Sequence, residues 1–153
     1  MKESLEIIEA RYKIYIDSMN QNLNNLEVAL QEHYGKDYKL SYTEESMHAV
    51  EYFLDKQLEE YTIEIFPLEQ LLENIATYMG ETVRRLMNGI WELERQEDVM
   101  SYGLPFVGNL DGLPKDGGYV PMDGVLMYKD EPRKGFLAGD IRGIIYAHDP
   151  SKW

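Results

Sequence analysis

Apolar residues recur at spacings of three and four over residues 3–34, which is the repeat of a helix with one buried face. The members of this stripe are Leu5, Ile8, Tyr12, Ile16, Met19, Leu23, Leu26 and Leu30. Gly35 follows the last of them, and a glycine directly after the final turn is a common helix stop. The pattern predicts a first helix over residues 3–34.

The same spacing predicts two further helices. The second covers about residues 43–61, with a capping box formed by Ser41 and Glu44. Its buried positions are Met47, Val50, Leu54, Leu58 and Tyr61. The third begins at Pro67, and Asn88-Gly89 closes it after Met87. Its buried positions are Leu68, Leu72, Ile75, Met79, Val83 and Leu86.

After Gly89 the helical period stops. The segments Ile90–Arg95 and Val99–Val107 resemble short strands, and the Asp, Gly and Pro residues of 109–119 are typical of turns. Between residues 120 and 148 the pattern is ambiguous. Val125–Tyr128 fits a strand or a short helix, whereas Ile141, Ile144, Ile145 and His148 fit a terminal helix if Gly139 and Gly143 are tolerated.

These elements predict one α+β domain over residues 1–153, in which amphipathic helices pack with a small antiparallel sheet. The helical part covers about residues 1–89, and the part rich in strands and loops covers 90–153. Nine of the twelve Gly and five of the six Pro lie after residue 102. No linker-like segment separates the two parts, so the shift in composition indicates a change of structure type within one domain.

The charge and the composition of the chain exclude several classes of function. Fifteen basic against 28 acidic residues leave a net charge of −13, which repels nucleic acid. Residues 1–101 carry −12 of it. With no Cys, no long apolar segment and no secretory leader, we expect a cytoplasmic protein without disulfides or a membrane span.

No motif in the chain indicates catalysis, a metal ion or a cofactor. His33, His48 and His148 are scattered, and the Gly-rich loops of dinucleotide and NTP binding are missing. Residues 111–118 (DGLPKDGG) lack the rhythm of a calcium loop. We therefore predict no cofactor. An enzyme whose site lies around Asp111, Asp116, Asp123 and His148 remains the alternative.

The predicted second helix carries its acids on one side. At 100° per residue, Glu44, Glu51, Asp55 and Glu59 lie within about 40–120° of Met47, beside His48. We call the four acids the acidic ridge. They belong either to an ordinary solvated face or to a docking surface for a basic protein. Both interpretations place them in solvent, so that replacing Glu51, Asp55 and Glu59 by Lys leaves folding intact.

Residues 78–91 (YMGETVRRLMNGIW) resemble the Y-x-G-E-x(7)-G-x-W segment of a loose group of small bacterial proteins. Many of these proteins are uncharacterised, and some resemble immunity proteins encoded beside toxins. The matching positions are Gly80, Glu81, Gly89 and Trp91, and the whole segment 78–91 makes up about a tenth of the chain. The resemblance implies a cytoplasmic protein that binds and neutralises another protein, without catalysis.

The residues of this segment also support a structural interpretation. Helix angles put Glu81 opposite the apolar stripe of the third helix, so we expect it outside the core, with Arg84 and Arg85 available as ion-pair partners. A glycine inside a helix costs about 1 kcal/mol, so Gly80 indicates that another part of the chain passes closely. Trp91 is expected to join helices and sheet as a core anchor, with a surface contact site as the alternative.

The sequence thus predicts a small acidic protein that blocks a basic toxin or effector domain. The expected contact residues are those of the acidic ridge together with His48 and Glu81. A homo-oligomeric subunit is a further alternative, because a long amphipathic helix such as 3–34 also forms homodimers.

Overall fold

A computed structural model describes residues 2–59, 68–147, 149 and 151. The described elements are α1 (Leu5–Tyr34), α2 (Met47–Glu59), α3 (Leu68–Met87), β1 (Ile90–Leu93), β2 (Pro105–Gly108), β3 (Gly118–Tyr119), α4 (Pro121–Asp130) and α5 (Phe136–Ile145). This is the predicted α+β fold, with two more helices than the pattern clearly indicated. None of these helices combines the length and apolar character needed to cross a bilayer.

The ends of α1 follow local chemistry. Ser4 caps its first turn by accepting a hydrogen bond from the Ile7 amide, and Gly35 ends it with a φ of 118°. The predicted stop is therefore confirmed. At the end of α3, Asn88 takes a φ of 52° and Gly89 donates to the Arg84 carbonyl at 2.9 Å, which confirms the Asn-Gly stop.

The predicted start of α2 is wrong. The helix begins at Met47, because Thr43 and Ser46 form their own turn just before it. The Thr43 hydroxyl accepts from the Ser46 amide at 3.1 Å, and the Ser46 hydroxyl donates to the Thr43 carbonyl at 2.7 Å. Ser41 and Glu44 thus precede the helix and do not form its capping box. Tyr61 and Pro67 lie outside the described residues.

A small antiparallel sheet in the order β1-β2-β3 follows α3. Ile90 pairs with Gly108 and Leu93 with Pro105, while Val107 pairs with Tyr119. Both predicted strands are shorter than expected. Residues 99–104 form turns instead, in which the backbone amide of Tyr102 donates to the Val99 carbonyl at 3.1 Å.

The ambiguous region contains α4 and α5. Pro121 lies at the start of α4, where its missing N–H costs nothing. Val125–Tyr128 is helical. Gly139 and Gly143 lie in α5 with open space beside them, so no packing contact requires a glycine at either position. His148 lies outside the described residues.

Helix α3 is the centre of the core. It packs against α1, α4, α5 and β2, and thirteen of its twenty residues are buried. Because neighbours cover it on several sides, its polar residues Thr77, Glu81 and Thr82 are buried as well. Leu86, predicted to be in the core, is 49% exposed.

Candidate functional site

Three of the four acids of the acidic ridge face the chain's own C-terminal helices. Glu51 is only 5% exposed, so its expected place in solvent is wrong. One of its carboxylate oxygens accepts from the Gly135 amide at 2.8 Å and the other from the Leu137 amide at 3.0 Å. Gly135, the N-cap of α5, has no side chain to satisfy these amides. Glu51 therefore caps α5 from a distant helix.

Two more ridge acids bind the same part of the chain. The Tyr128 hydroxyl of α4 donates to Asp55, and Arg142 of α5 donates to Glu44 at 3.3 Å. Burial raises the pKa of Tyr128, and the hydrogen bond to Asp55 raises it further. Glu44, Glu51 and Asp55 thus form a docking surface for electropositive groups. Those groups belong to α4 and α5.

Of the predicted contact residues, His48 and Glu59 remain exposed, and they lie on the outer side of α2. Glu59 pairs with Lys56 at 3.4 Å. Tyr52 lies one turn after His48 and is 52% exposed. Continuing the same count of helix angles beyond the acids would have found Tyr52 from the sequence.

Aromatic rings at the end of α1 extend the exposed surface that His48 and Tyr52 form on α2. The His33 ring lies 4.6 Å from that of Tyr34 and 5.9 Å from that of Tyr52. Tyr34 also stacks on Tyr38 at 5.3 Å, and its hydroxyl donates to the Ala49 carbonyl of α2. We call His33, Tyr34, Tyr38, His48 and Tyr52 the aromatic face. Its rings come from α1, α2 and the loop between them.

Glu81 is buried rather than outside the core. It accepts hydrogen bonds from Arg84, from Arg85 at 3.0 Å and from Nε1 of Trp91 at 3.1 Å. Burial would raise its pKa, but these three donors outweigh burial and lower it. The predicted arginine pairs are therefore present. The carboxylate is engaged within the chain.

The Y-x-G-E-x(7)-G-x-W segment forms one packing unit. Trp91 lies over Gly80, binds Glu81, and meets the Tyr15 ring edge-on at 5.8 Å. Tyr78 is buried, and its hydroxyl forms hydrogen bonds with Ser46 and the Tyr42 amide. The anchor interpretation of Trp91 is confirmed, and the segment has a structural explanation.

The residues of the enzyme alternative lie in different surroundings. Asn88 donates to Asp111 at 2.6 Å. Asp123, by contrast, lies near Asp140, to which the Tyr119 hydroxyl donates at 2.6 Å. Burial raises the pKa of Asp123, and burial together with the charge of Asp123 raises that of Asp140. Within the described residues, no three His, Asp or Glu side chains are placed to hold a metal ion.

A cavity of about 100 Å³ lies among α1, α3, β2 and the start of α4. Its lining, mostly apolar, consists of Arg11, Tyr12, Tyr15, Glu73, Ala76, Gly103, Leu104, Pro105, Pro121 and Met122. A more polar depression beside it shares Arg11, Tyr15 and Glu73. No local pattern in the sequence predicts this site, because its lining joins helices to a loop that is distant from them along the chain.

Comparison of the chain with known protein families, with curated proteins and with solved structures finds no match.

Proposed function

We propose that this protein binds a basic domain of another protein through the aromatic face and blocks it, as an immunity-type inhibitor blocks a toxin. The observation that carries the proposal is the exposure of Tyr52 and Tyr34, at 52% and 40%, around the His33 ring. Tyrosines supply apolar contact area and a hydrogen-bonding end, and they are enriched among residues that dominate binding energy.

The charge of the protein supports a basic partner. A net charge of −13 attracts a cationic domain and accelerates encounter. Glu32, Glu45 and Glu59 lie near the aromatic face in the sequence and are exposed. Lys56 lies 5.3 Å from the centre of the Tyr52 ring. The Tyr52 ring thus already contacts a cation of this chain, and a Lys or Arg of the partner can contact it in the same way.

The first partner to test is the protein encoded beside this one, where it has a basic toxin-like domain. We expect binding whose on-rate falls steeply with salt, since exposed charges are screened over about 8–10 Å at physiological ionic strength. Tyr52→Ala should weaken binding by at least about tenfold. Met100→Ala is the matched control, because Met100 is fully exposed on the β1–β2 loop.

Two binding measurements could contradict the proposal. One is an on-rate that does not change between low and high salt. The other is equal loss of affinity in Tyr52→Ala and Met100→Ala. A genome neighbourhood of metabolic enzymes, with no toxin-like protein, would also count against it.

A second candidate function is a homo-oligomeric subunit. Ile7, Ile14 and Val28 are exposed on α1 at intervals of seven or fourteen residues, which keeps them on one side of the helix. Two copies could bury this stripe between them, although each carries a charge of −13. Light scattering after size-exclusion chromatography measures the mass directly. A monomer at high salt would exclude the homo-oligomer.

A further inference from the structure

We propose that the cavity between α1, α3 and β2 binds an alkyl chain that ends in an ammonium group. The site is independent of the aromatic face, and the proposal stands whether or not that face binds a toxin. The cavity holds about 100 Å³. An apolar cavity of about 150 Å³ accepts benzene, so this one is suited to a linear chain of about four carbons.

The apolar walls of the cavity are held firmly. Tyr15 is fixed by the hydrogen bond of its hydroxyl to Thr77 at 2.7 Å and by its contact with Trp91. Where residues 103–105 line the cavity, the Gly103 amide donates to the Glu94 carbonyl at 2.9 Å. A cavity whose walls are already ordered binds a small ligand without the entropic cost of ordering them.

The charges around the cavity favour a cation. Arg11 directs two nitrogens at Glu3, at 2.9 and 2.8 Å, so its charge is already balanced. Glu73 accepts a hydrogen bond from Gln70 at 3.0 Å, but it has no ion pair among the described residues. One carboxylate is thus left to pair with the ligand.

Glu73 also lies where a ligand in the cavity would meet it. It lines both the apolar cavity and the polar depression beside it. Its charge is close enough to Tyr15 to add to the rise in the pKa of that hydroxyl, which burial causes in the first place. An alkyl chain between Tyr12 and Pro121 would therefore reach Glu73 with its charged end. A carboxylate or phosphate in that place would be repelled.

The test is an NMR titration of the labelled protein with n-butylammonium, 1-butanol and butyrate at constant ionic strength. We expect n-butylammonium to shift the amide signals of Ala76, Gly103 and Leu104 saturably, with a Kd of about 1 mM for so small a ligand. The alcohol should bind roughly tenfold more weakly, because it lacks the charge. Butyrate should not bind.

Variants at two glutamates of α3 separate the site from general attraction to an acidic surface. Glu73→Gln should reduce n-butylammonium binding to the level of 1-butanol and leave 1-butanol unchanged. Glu69→Gln, at an exposed glutamate one turn before Glu73 that does not line the cavity, should change neither. The proposal is overturned if amine and alcohol bind equally, if the amine shifts are unsaturable or lie elsewhere, or if both variants behave alike.

The ammonium group has two sources, a free amine or a lysine side chain of a protein. N-acetyl-lysine methylamide distinguishes them. Saturable shifts at Ala76 and Gly103 would support a lysine as the ligand. Binding of n-butylammonium without such shifts would support a free amine. Because neither measurement uses a toxin, failure here would leave the proposed function standing, and loss of the proposed function would leave this site standing.

Discussion

The indole ring of Trp91 lies against the backbone of Gly80. A Cβ atom on residue 80 would come within 2.6 Å of Cζ2 of Trp91 and 3.1 Å of Cγ of Pro121. The ring has little freedom to withdraw, because Nε1 is bound to Glu81 and the opposite side meets Tyr15. Gly80 is therefore the point at which β1 and the start of α4 approach α3.

Gly80→Ala should destabilise the protein by about 1–3 kcal/mol, because a methyl group forced into a filled contact costs more than helix propensity returns. Gly139→Ala is the control. Nothing lies within 4 Å of a Cβ at that helical position, so we expect a gain of about 0.4–1 kcal/mol. The midpoint of urea unfolding, compared at unchanged slope, measures the change in stability of both variants. A higher midpoint for Gly80→Ala would refute the contact.

The contact at Gly80 was predictable because a helical glycine beside an apolar stripe is a local signal. The internal partners of the acidic ridge were not predictable from the sequence. Glu51 and Asp55 bind α4 and α5, and the sequence left residues 120–148 undecided between strand and helix. Without those helices, no internal partner for the acids was apparent.

The burial of Glu81 shows a different limit. A calculation of helix angles places each residue relative to one apolar stripe. It treats the helix as buried on that side alone. Helix α3 is covered by α1 on one side and by α4 and α5 on others. A position opposite the stripe is then buried too, and Trp91 and the two arginines supply the partners that a carboxylate needs there.

Glu51→Ala should destabilise the protein by about 2 kcal/mol, because it leaves two amides of the α5 N-terminus without an acceptor. Hydrogen exchange at Gly135 and Leu137 should accelerate. This expectation replaces the prediction that lysines at 51, 55 and 59 leave folding intact. Glu59→Ala, on the exposed end of α2, should stay within about ±0.5 kcal/mol. Equal stability of the two variants would show that Glu51 is not a cap.

The protein should lose stability in acid because the interactions of ionised Glu81 are lost there. Its folded pKa lies below the ordinary value of 4.5, so its stabilising contribution is present above that value and is lost as the pH falls through the folded pKa. Glu81→Gln should cost about 1–3 kcal/mol at neutral pH and much less near pH 3. The measurement is the free energy of unfolding in urea at both pH values. A cost that is the same at both would contradict the ionised interaction.

Asp140 should have the opposite effect. Burial raises its pKa above 3.8, the Tyr119 hydrogen bond opposes this, and the charge of Asp123 adds to the rise. A raised folded pKa means that the favourable contribution belongs to the protonated form and is lost as the pH rises through that pKa. At neutral pH the ionised carboxylate therefore costs stability. Asp140→Asn keeps an oxygen acceptor for Tyr119, and it should stabilise the protein by about 0.5–1 kcal/mol at neutral pH and by nothing near pH 3.

The contribution of Asp123 is best measured through the pKa of Asp140 rather than through stability. Asp123 lies in the first turn of α4, where a negative charge is favourable, so its removal changes stability for a second reason. In Asp123→Asn, carboxyl NMR should give a lower pKa for Asp140, because a like charge has been removed. Asp116→Asn, in the exposed loop before β3, should leave the pKa of Asp140 unchanged. If both variants left that pKa unchanged, the two carboxylates would not interact, and burial by α4 alone would have to explain the rise.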